Sequence, residues 1–133
     1  RGISMKIHHV GYLVADIDKA LSDFIKLGYK LEGEQYADES RKIKIQFINN
    51  ENYLIELISP LNDSSPVNNI LKKIGSSPYH LCYQTAKIVE QIAEFRKQGY
   101  IVIADALEAP AINNKKVAFL YKNNIGIIEL VEE

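Results

Sequence analysis

The residues that most limit what this chain can become are two glutamates, each alone in an apolar run. Tyr53-Leu54-Ile55-Glu56-Leu57-Ile58 is β-prone and of strand length, and Ile127-Ile128-Glu129-Leu130-Val131 repeats the pattern at the end of the chain. Alternate side chains of a strand share a face. Leu54, Glu56 and Ile58 therefore point one way, and Tyr53, Ile55 and Leu57 the other. Apolar residues on both faces predict a strand buried on both sides. An ionised carboxylate there costs roughly several kcal/mol unless positive charge answers it. Neither Lys nor Arg lies near Glu56 in sequence.

The rest of the chain reads as two copies of one pattern. Lys6 to Val14 alternates as a strand, with His9 on the face of Ile7, Gly11 and Leu13, and His8 on the other. Asp16 is placed to cap a helix whose stripe is Ile17, Ala20, Leu21, Phe24 and Ile25, and Gly28 is placed to stop it. Tyr29-Lys30-Leu31 opens a second strand. Glu32 to Ser40 is polar and reads as turn. Lys42 to Ile48 alternates as a third strand, and the strand of Glu56 follows. After a joint at 60–78, which holds a short helix begun by Pro66, Tyr79 to Thr85 repeats the first strand with His80, Cys82 and Gln84 on one face. Ile88, Ile92 and Phe95 repeat the helix stripe, and Gly99-Tyr100 repeats Gly28-Tyr29. A strand at Tyr100 to Ile103, a loop from Asp105 to Asn114, and strands at Lys116 to Tyr121 and Ile125 to Val131 complete the copy. His9 and Gly28 are 19 positions apart, as are His80 and Gly99; His9 to Glu56 spans 47 positions and His80 to Glu129 spans 49.

The expected organisation is a tag remnant at 1–4, a strand–helix–strand–strand–strand module at 5–59, the joint at 60–78, and a second such module at 79–133, all in one domain. Arg1 to Ser4, ahead of Met5, read as left over from expression. With 133 residues the chain can bury a core without disulfides, and its single cysteine, Cys82, allows none within the chain. A reducing cytoplasm is the expected compartment, and Cys82 reads as a small packing residue. A net charge of −1, with no basic run longer than a pair such as Lys72-Lys73 or Lys115-Lys116, gives no electrostatic case for nucleic acid or a membrane surface.

Singly, a strand His or Glu has a structural explanation. Together, each module offers one His on its first strand and one Glu on its last, and two-fold pseudo-symmetry can bring His9, Glu56, His80 and Glu129 to one centre. Two imidazoles and two carboxylates suit one borderline divalent cation, Zn²⁺, Ni²⁺, Co²⁺, Mn²⁺ or Fe²⁺. Such an ion also offsets the cost of burying Glu56 and Glu129. Four protein ligands on an octahedral ion leave two positions for water or substrate.

The repeat, with Ile-His-His-Val-Gly around His9, Leu-Ile-Glu-Leu-Ile around Glu56, Tyr-His-Leu-Cys around His80 and Gly-Ile-Ile-Glu-Leu around Glu129, resembles the vicinal oxygen chelate superfamily. Glyoxalase I, methylmalonyl-CoA epimerase, extradiol dioxygenases and bleomycin-resistance proteins belong to it. The resemblance implies an α+β fold. Paired βαβββ modules would form a curved, mostly antiparallel eight-stranded sheet around the metal, with the helices outside. The joint Ser59 to Pro66 and Val117-Ala118-Phe119-Leu120 are similar to segments of methylmalonyl-CoA epimerases. The implied activity is metal-dependent enolisation of a carbonyl or thioester substrate, with Glu129 as the first candidate base and Glu56 the second. Glyoxalase I chemistry on a 2-oxoaldehyde–thiol hemithioacetal is the alternative, and non-catalytic antibiotic binding a further one. Some epimerases carry another Glu on the third strand as a proton carrier; Lys44-Ile45-Gln46 has none. A dioxygenase needs a further acid–base His, and alternation turns His8 away. Lys115 and Lys116 read as solvated charges, with a substrate anion as the second reading. A homodimer is the assembly the resemblance implies.

Overall fold

The computed structural model describes residues 5–133, so the expected tag remnant at 1–4 lies outside the described residues. These residues form eight strands and three α-helices in two strand–helix–strand–strand–strand series, the α+β architecture expected. The first series is β1 (Ile7–Leu13), α1 (Ile17–Lys26), β2 (Lys30–Asp38), β3 (Ile43–Asn50) and β4 (Tyr53–Pro60). After α2 (Val67–Ile74) come β5 (Ser77–Thr85), α3 (Ile88–Lys97), β6 (Ile101–Ala109), β7 (Lys115–Lys122) and β8 (Gly126–Glu132). None of the described helices is long and apolar enough to cross a membrane.

The chain divides into two compact units, Val10–Tyr79 and the described residues up to His9 together with His80–Glu133. In the first, the strand order is β2-β3-β4-β1, with β1 parallel to β4 and the other neighbours antiparallel. In the second, the start of β1 is followed by β5-β8-β7-β6, with β5 parallel to β8 and β7 antiparallel to both β8 and β6. Each unit packs its helix on its sheet. Ile17 and the partly buried Ala20, Leu21 and Phe24 of α1 meet Val14, Ile48 and Leu57. Ile88, Ile92 and Phe95 of α3 meet Ala118, Leu120, Ile128 and Leu130.

The two helices end in the same way. Gly28 N–H donates to the Ile25 carbonyl at 3.0 Å and Tyr29 N–H to the Phe24 carbonyl at 3.2 Å; Gly99 and Tyr100 do the same to Arg96 and Phe95 at 3.1 and 3.0 Å. Gly28 and Gly99 have φ of +102° and +98°, which favours glycine at this paired-bond stop. The ring after each glycine packs on the ring one turn back: Tyr29 on Phe24 at 5.3 Å and Tyr100 on Phe95 at 4.6 Å between centroids. The helix starts differ. Asp16 Oδ1 accepts from Lys19 N–H at 3.0 Å, as its position predicts, whereas Lys87 gives α3 no side-chain cap. Glu132 Oε2, from the last strand, accepts from Ile88 N–H at 3.0 Å instead.

Two stretches read as turn and loop are strand. β2 continues through Glu32 to Asp38, and β6 continues through Asp105 to Ala109 before a short 3₁₀ turn at Pro110–Ile112. Both are outermost in their unit's strand order and mostly exposed on either face. An edge strand of this kind needs no apolar face, so alternation cannot reveal it. Each ladder is also irregular, between Glu32 and Tyr36 and at two places between Val102 and Leu107.

Candidate metal centre

Glu129 lies on β8 between buried Ile128 and Leu130 and is itself 3% exposed. In the sheet it stands opposite Cys82 of β5 on one side and Phe119 of β7 on the other. His80, two residues before Cys82 on the same face of β5, reaches Glu129 Oε1 with Nε2 at 2.9 Å. His9, at the start of β1, reaches the same oxygen with its own Nε2 at 3.0 Å. Both imidazoles are buried, and they meet edge to face at 5.6 Å between centroids. Phe119 stands edge-on to His80 at 5.3 Å, an apolar wall to the cluster. Burial alone pushes the Glu129 carboxyl up. The hydrogen bonds and charge of His80, and then of His9, outweigh burial and hold it well below the usual carboxylate range.

One carboxylate oxygen thus faces two imidazole nitrogens. Without an ion, each nitrogen presents N–H to this acceptor; with one, each Nε2 would be unprotonated and turn its lone pair to the ion beside the carboxylate oxygen. The spacing fits both arrangements, since an N–H···O hydrogen bond also spans about 2.9–3.0 Å. Ligand atoms roughly 2.1 Å from a cation and at right angles to each other stand about 3.0 Å apart, close to the two separations observed. The donor atoms of His9, His80 and Glu129 all lie within 4.8 Å of one another. Two nitrogens and a carboxylate oxygen suit a borderline divalent ion over Mg²⁺ or Ca²⁺.

Glu56 belongs to the other unit. It is 4% exposed on β4, opposite Gly11 of β1 in parallel register and opposite Phe47 of β3 in antiparallel register. Its setting repeats that of Glu129, with a parallel neighbour on one side and a Phe on the other. Gln46 is buried on β3, and its amide donates to the carbonyls of Gly33 at 3.1 Å and Phe47 at 2.9 Å. Lys115 and Lys116 are exposed at the start of β7, opposite Ala109 and Glu108. In the unit of Glu56, a groove of about 420 Å³ runs beside α1, lined by Tyr12, Asp16, Lys19, Phe24 and Leu27 among others; Glu56 is not part of its lining.

Sequence reasoning missed His8. Alternation turns it away from His9, yet the two Nδ1 atoms are 2.8 Å apart. Nδ1 is bonded to the ring carbon nearest the main chain, so successive rings meet there even when their far ends diverge. Cys82 is fully buried, as a packing residue would be, but its Sγ also lies within 4.8 Å of ring nitrogens of His8 and His9. The adjacent pair His8-His9 was the available signal.

The fold agrees with what comparison finds. The model of the Glyoxalase/Bleomycin resistance protein/Dioxygenase superfamily matches residues 8–119, and the chain belongs to that superfamily. The mitochondrial methylmalonyl-CoA epimerase of Bos taurus is 24% identical over 128 residues, 94% of this chain and 73% of the relative. Among solved structures, a hypothetical protein from Bacillus halodurans C-125 is 29% identical with a TM-score of 0.86, covering 98% of this chain and 96% of its own. Methylmalonyl-CoA epimerase from Mycobacterium tuberculosis is 26% identical with a TM-score of 0.83, covering 95% of this chain and 86% of its own.

Proposed function

We propose that this chain is a metal-dependent epimerase that inverts the α-carbon of an acyl-CoA thioester of the methylmalonyl type. The observation that carries the reading is the buried cluster in which His9 and His80 share one oxygen of Glu129. The names of the Bos taurus and Mycobacterium tuberculosis relatives support the substrate class.

His9, His80 and Glu129 would hold the ion, with Glu56 as fourth ligand. The argument for Glu56 is one of register. In the second module, His80 lies two residues before Cys82, the parallel partner of Glu129. In the first, His9 lies two residues before Gly11, the parallel partner of Glu56. These equal offsets along the chain are the reason for naming Glu56 beside the other three. A divalent ion held there would supply Lewis-acid stabilisation of the negative charge that develops on the thioester oxygen.

The remaining chemistry falls to the side chains. A carboxylate takes the α-proton from one face, and a proton returned to the other face inverts the centre. Glu129 is the first candidate for that base and Glu56 the second. Gln46 cannot take a proton from carbon, and its amide is committed to backbone carbonyls. Phe119 and the buried rings keep bulk water from the cluster, which strengthens its electrostatics.

The test is wash-out of the α-proton of methylmalonyl-CoA into D₂O, followed by mass spectrometry. The wild type should exchange. Glu129→Gln should slow exchange by about 10²- to 10⁴-fold while its circular dichroism stays unchanged. Unchanged exchange in Glu129→Gln would remove it as the base. Turnover of the methylglyoxal–glutathione hemithioacetal, with no exchange on the thioester, would replace this reading with glyoxalase chemistry. Binding without exchange on either compound would replace it with sequestration.

A further inference from the structure

A second group of metal-binding side chains lies on the other edge of the His9 ring. One ring nitrogen each of His8 and His9 and the Cys82 Sγ lie within 4.8 Å of one another. His8 Nδ1 and His9 Nδ1 are 2.8 Å apart, with the rings edge to face at 80° and 5.0 Å between centroids. Cys82 and His9 are buried and His8 is half-buried, so the group is enclosed except toward His8.

We propose that His8, His9 and Cys82 form a second cation site, selective for thiophilic ions such as Zn²⁺ and Cd²⁺. Two imidazoles and a thiolate prefer such ions to Mg²⁺, Ca²⁺ or Mn²⁺. On binding, the Cys82 S–H bond breaks, its proton passes to solvent, and the sulfur electron pair forms the bond to the metal. No electron is transferred. Each histidine coordinates as a neutral ring through the Nδ1 lone pair, which places its ring proton on Nε2. For His9 that Nε2–H donates to Glu129 Oε1, 3.0 Å away. A neutral His9 has a single ring lone pair, so it serves one cation site at a time. Occupation of the thiophilic site therefore withdraws His9 as a ligand of the first site and leaves it a hydrogen-bond donor to Glu129. The simpler account of the same geometry is an imidazole–imidazole hydrogen bond with Cys82 filling space beside it.

The two accounts separate by absorption. Chelator-stripped wild-type protein is titrated with Cd²⁺ alone, and the thiolate-to-cadmium charge-transfer band is followed in the ultraviolet. Cys82 is the only cysteine, so the band reports this site and no other. The readout needs no turnover, so it stands or falls separately from the epimerase reading. The expected result is a saturable band in the wild type, its loss in Cys82→Ser, and apparent Cd²⁺ affinity weakened roughly tenfold or more in His8→Ala. His8→Gln, which keeps a polar side chain there, should behave like His8→Ala. A wild type that takes up Cd²⁺ with no thiolate band, or His8 variants with unchanged affinity, would overturn the proposal.

Discussion

Asp38→Asn tests how the long edge strand β2 is anchored. Asp38 is the last residue of β2 and is 5% exposed. Its Oδ1 accepts from Ser40 Oγ at 2.9 Å and from Arg41 N–H at 3.0 Å, and its Oδ2 accepts from Arg41 Nη1 at 3.0 Å. Burial raises the carboxyl's pKa, but the Arg41 backbone and side-chain bonds, the Ser40 bond and the Arg41 charge bring it below the ordinary value of 3.8. The substituted amide would keep one oxygen for Ser40 and Arg41 N–H and lose the charged partner of the guanidinium. A hydrogen bond to a charged group contributes about 1.5–3 kcal/mol. The Arg41 side chain is 18% exposed, so water recovers part of that. The expected loss in urea denaturation at pH 7 is about 1–2 kcal/mol. The pH dependence has a definite sign. A depressed folded pKa means that the stabilisation is present above the unfolded pKa and is lost as pH falls through the folded one. The difference between wild type and Asp38→Asn should therefore be full above about pH 5, shrink below 3.8, and vanish once Asp38 is protonated in both states. Taking the difference cancels the titration of the other groups that both proteins share. Equal stability at pH 7, or a gap that persists unchanged into acid, would refute this account of the turn.

Asp16→Ala should cost about 1 kcal/mol in urea denaturation, because it removes the acceptor for Lys19 N–H while α1 keeps its paired-bond stop at Gly28. Leu120→Ala should cost about 2–5 kcal/mol, since Leu120 is fully buried beneath α3 in a packed cluster; thermal and urea unfolding should agree on the loss.

Alternation and glycine placement carried most of the fold. β1, β3, β4, β5, β7 and β8 each bury at least one face, so burial writes itself into their sequences. The helix stops at Gly28 and Gly99 were legible because a positive φ restricts residue choice. β2 and β6 were only half legible, since neither must pack both faces against anything. The Glu132 cap on α3 was invisible for another reason: its acceptor comes from 44 residues away, beyond any local window. At the site, a carboxylate stranded in an apolar strand pointed to Glu129, and the repeat pointed to His9 and His80, which the fold brings to one oxygen of Glu129. His8 was not legible, because strand alternation describes where side chains point and not where their first ring atoms meet.

The most direct measurement is the metal content of protein purified without chelator from metal-supplemented cells, for Cys82→Ser and for Cys82→Ser with His80→Ala, by plasma mass spectrometry. Both proteins carry Cys82→Ser, so that the group of His8, His9 and Cys82 retains no thiolate-bound ion, and His80→Ala removes one of the two nitrogens facing Glu129 Oε1. The account predicts a stoichiometric divalent transition-metal ion in Cys82→Ser and a large loss of it once His80→Ala is added, with circular dichroism unchanged. A Cys82→Ser protein that carries no such ion, or a His80→Ala variant of it that keeps its full complement, would contradict it.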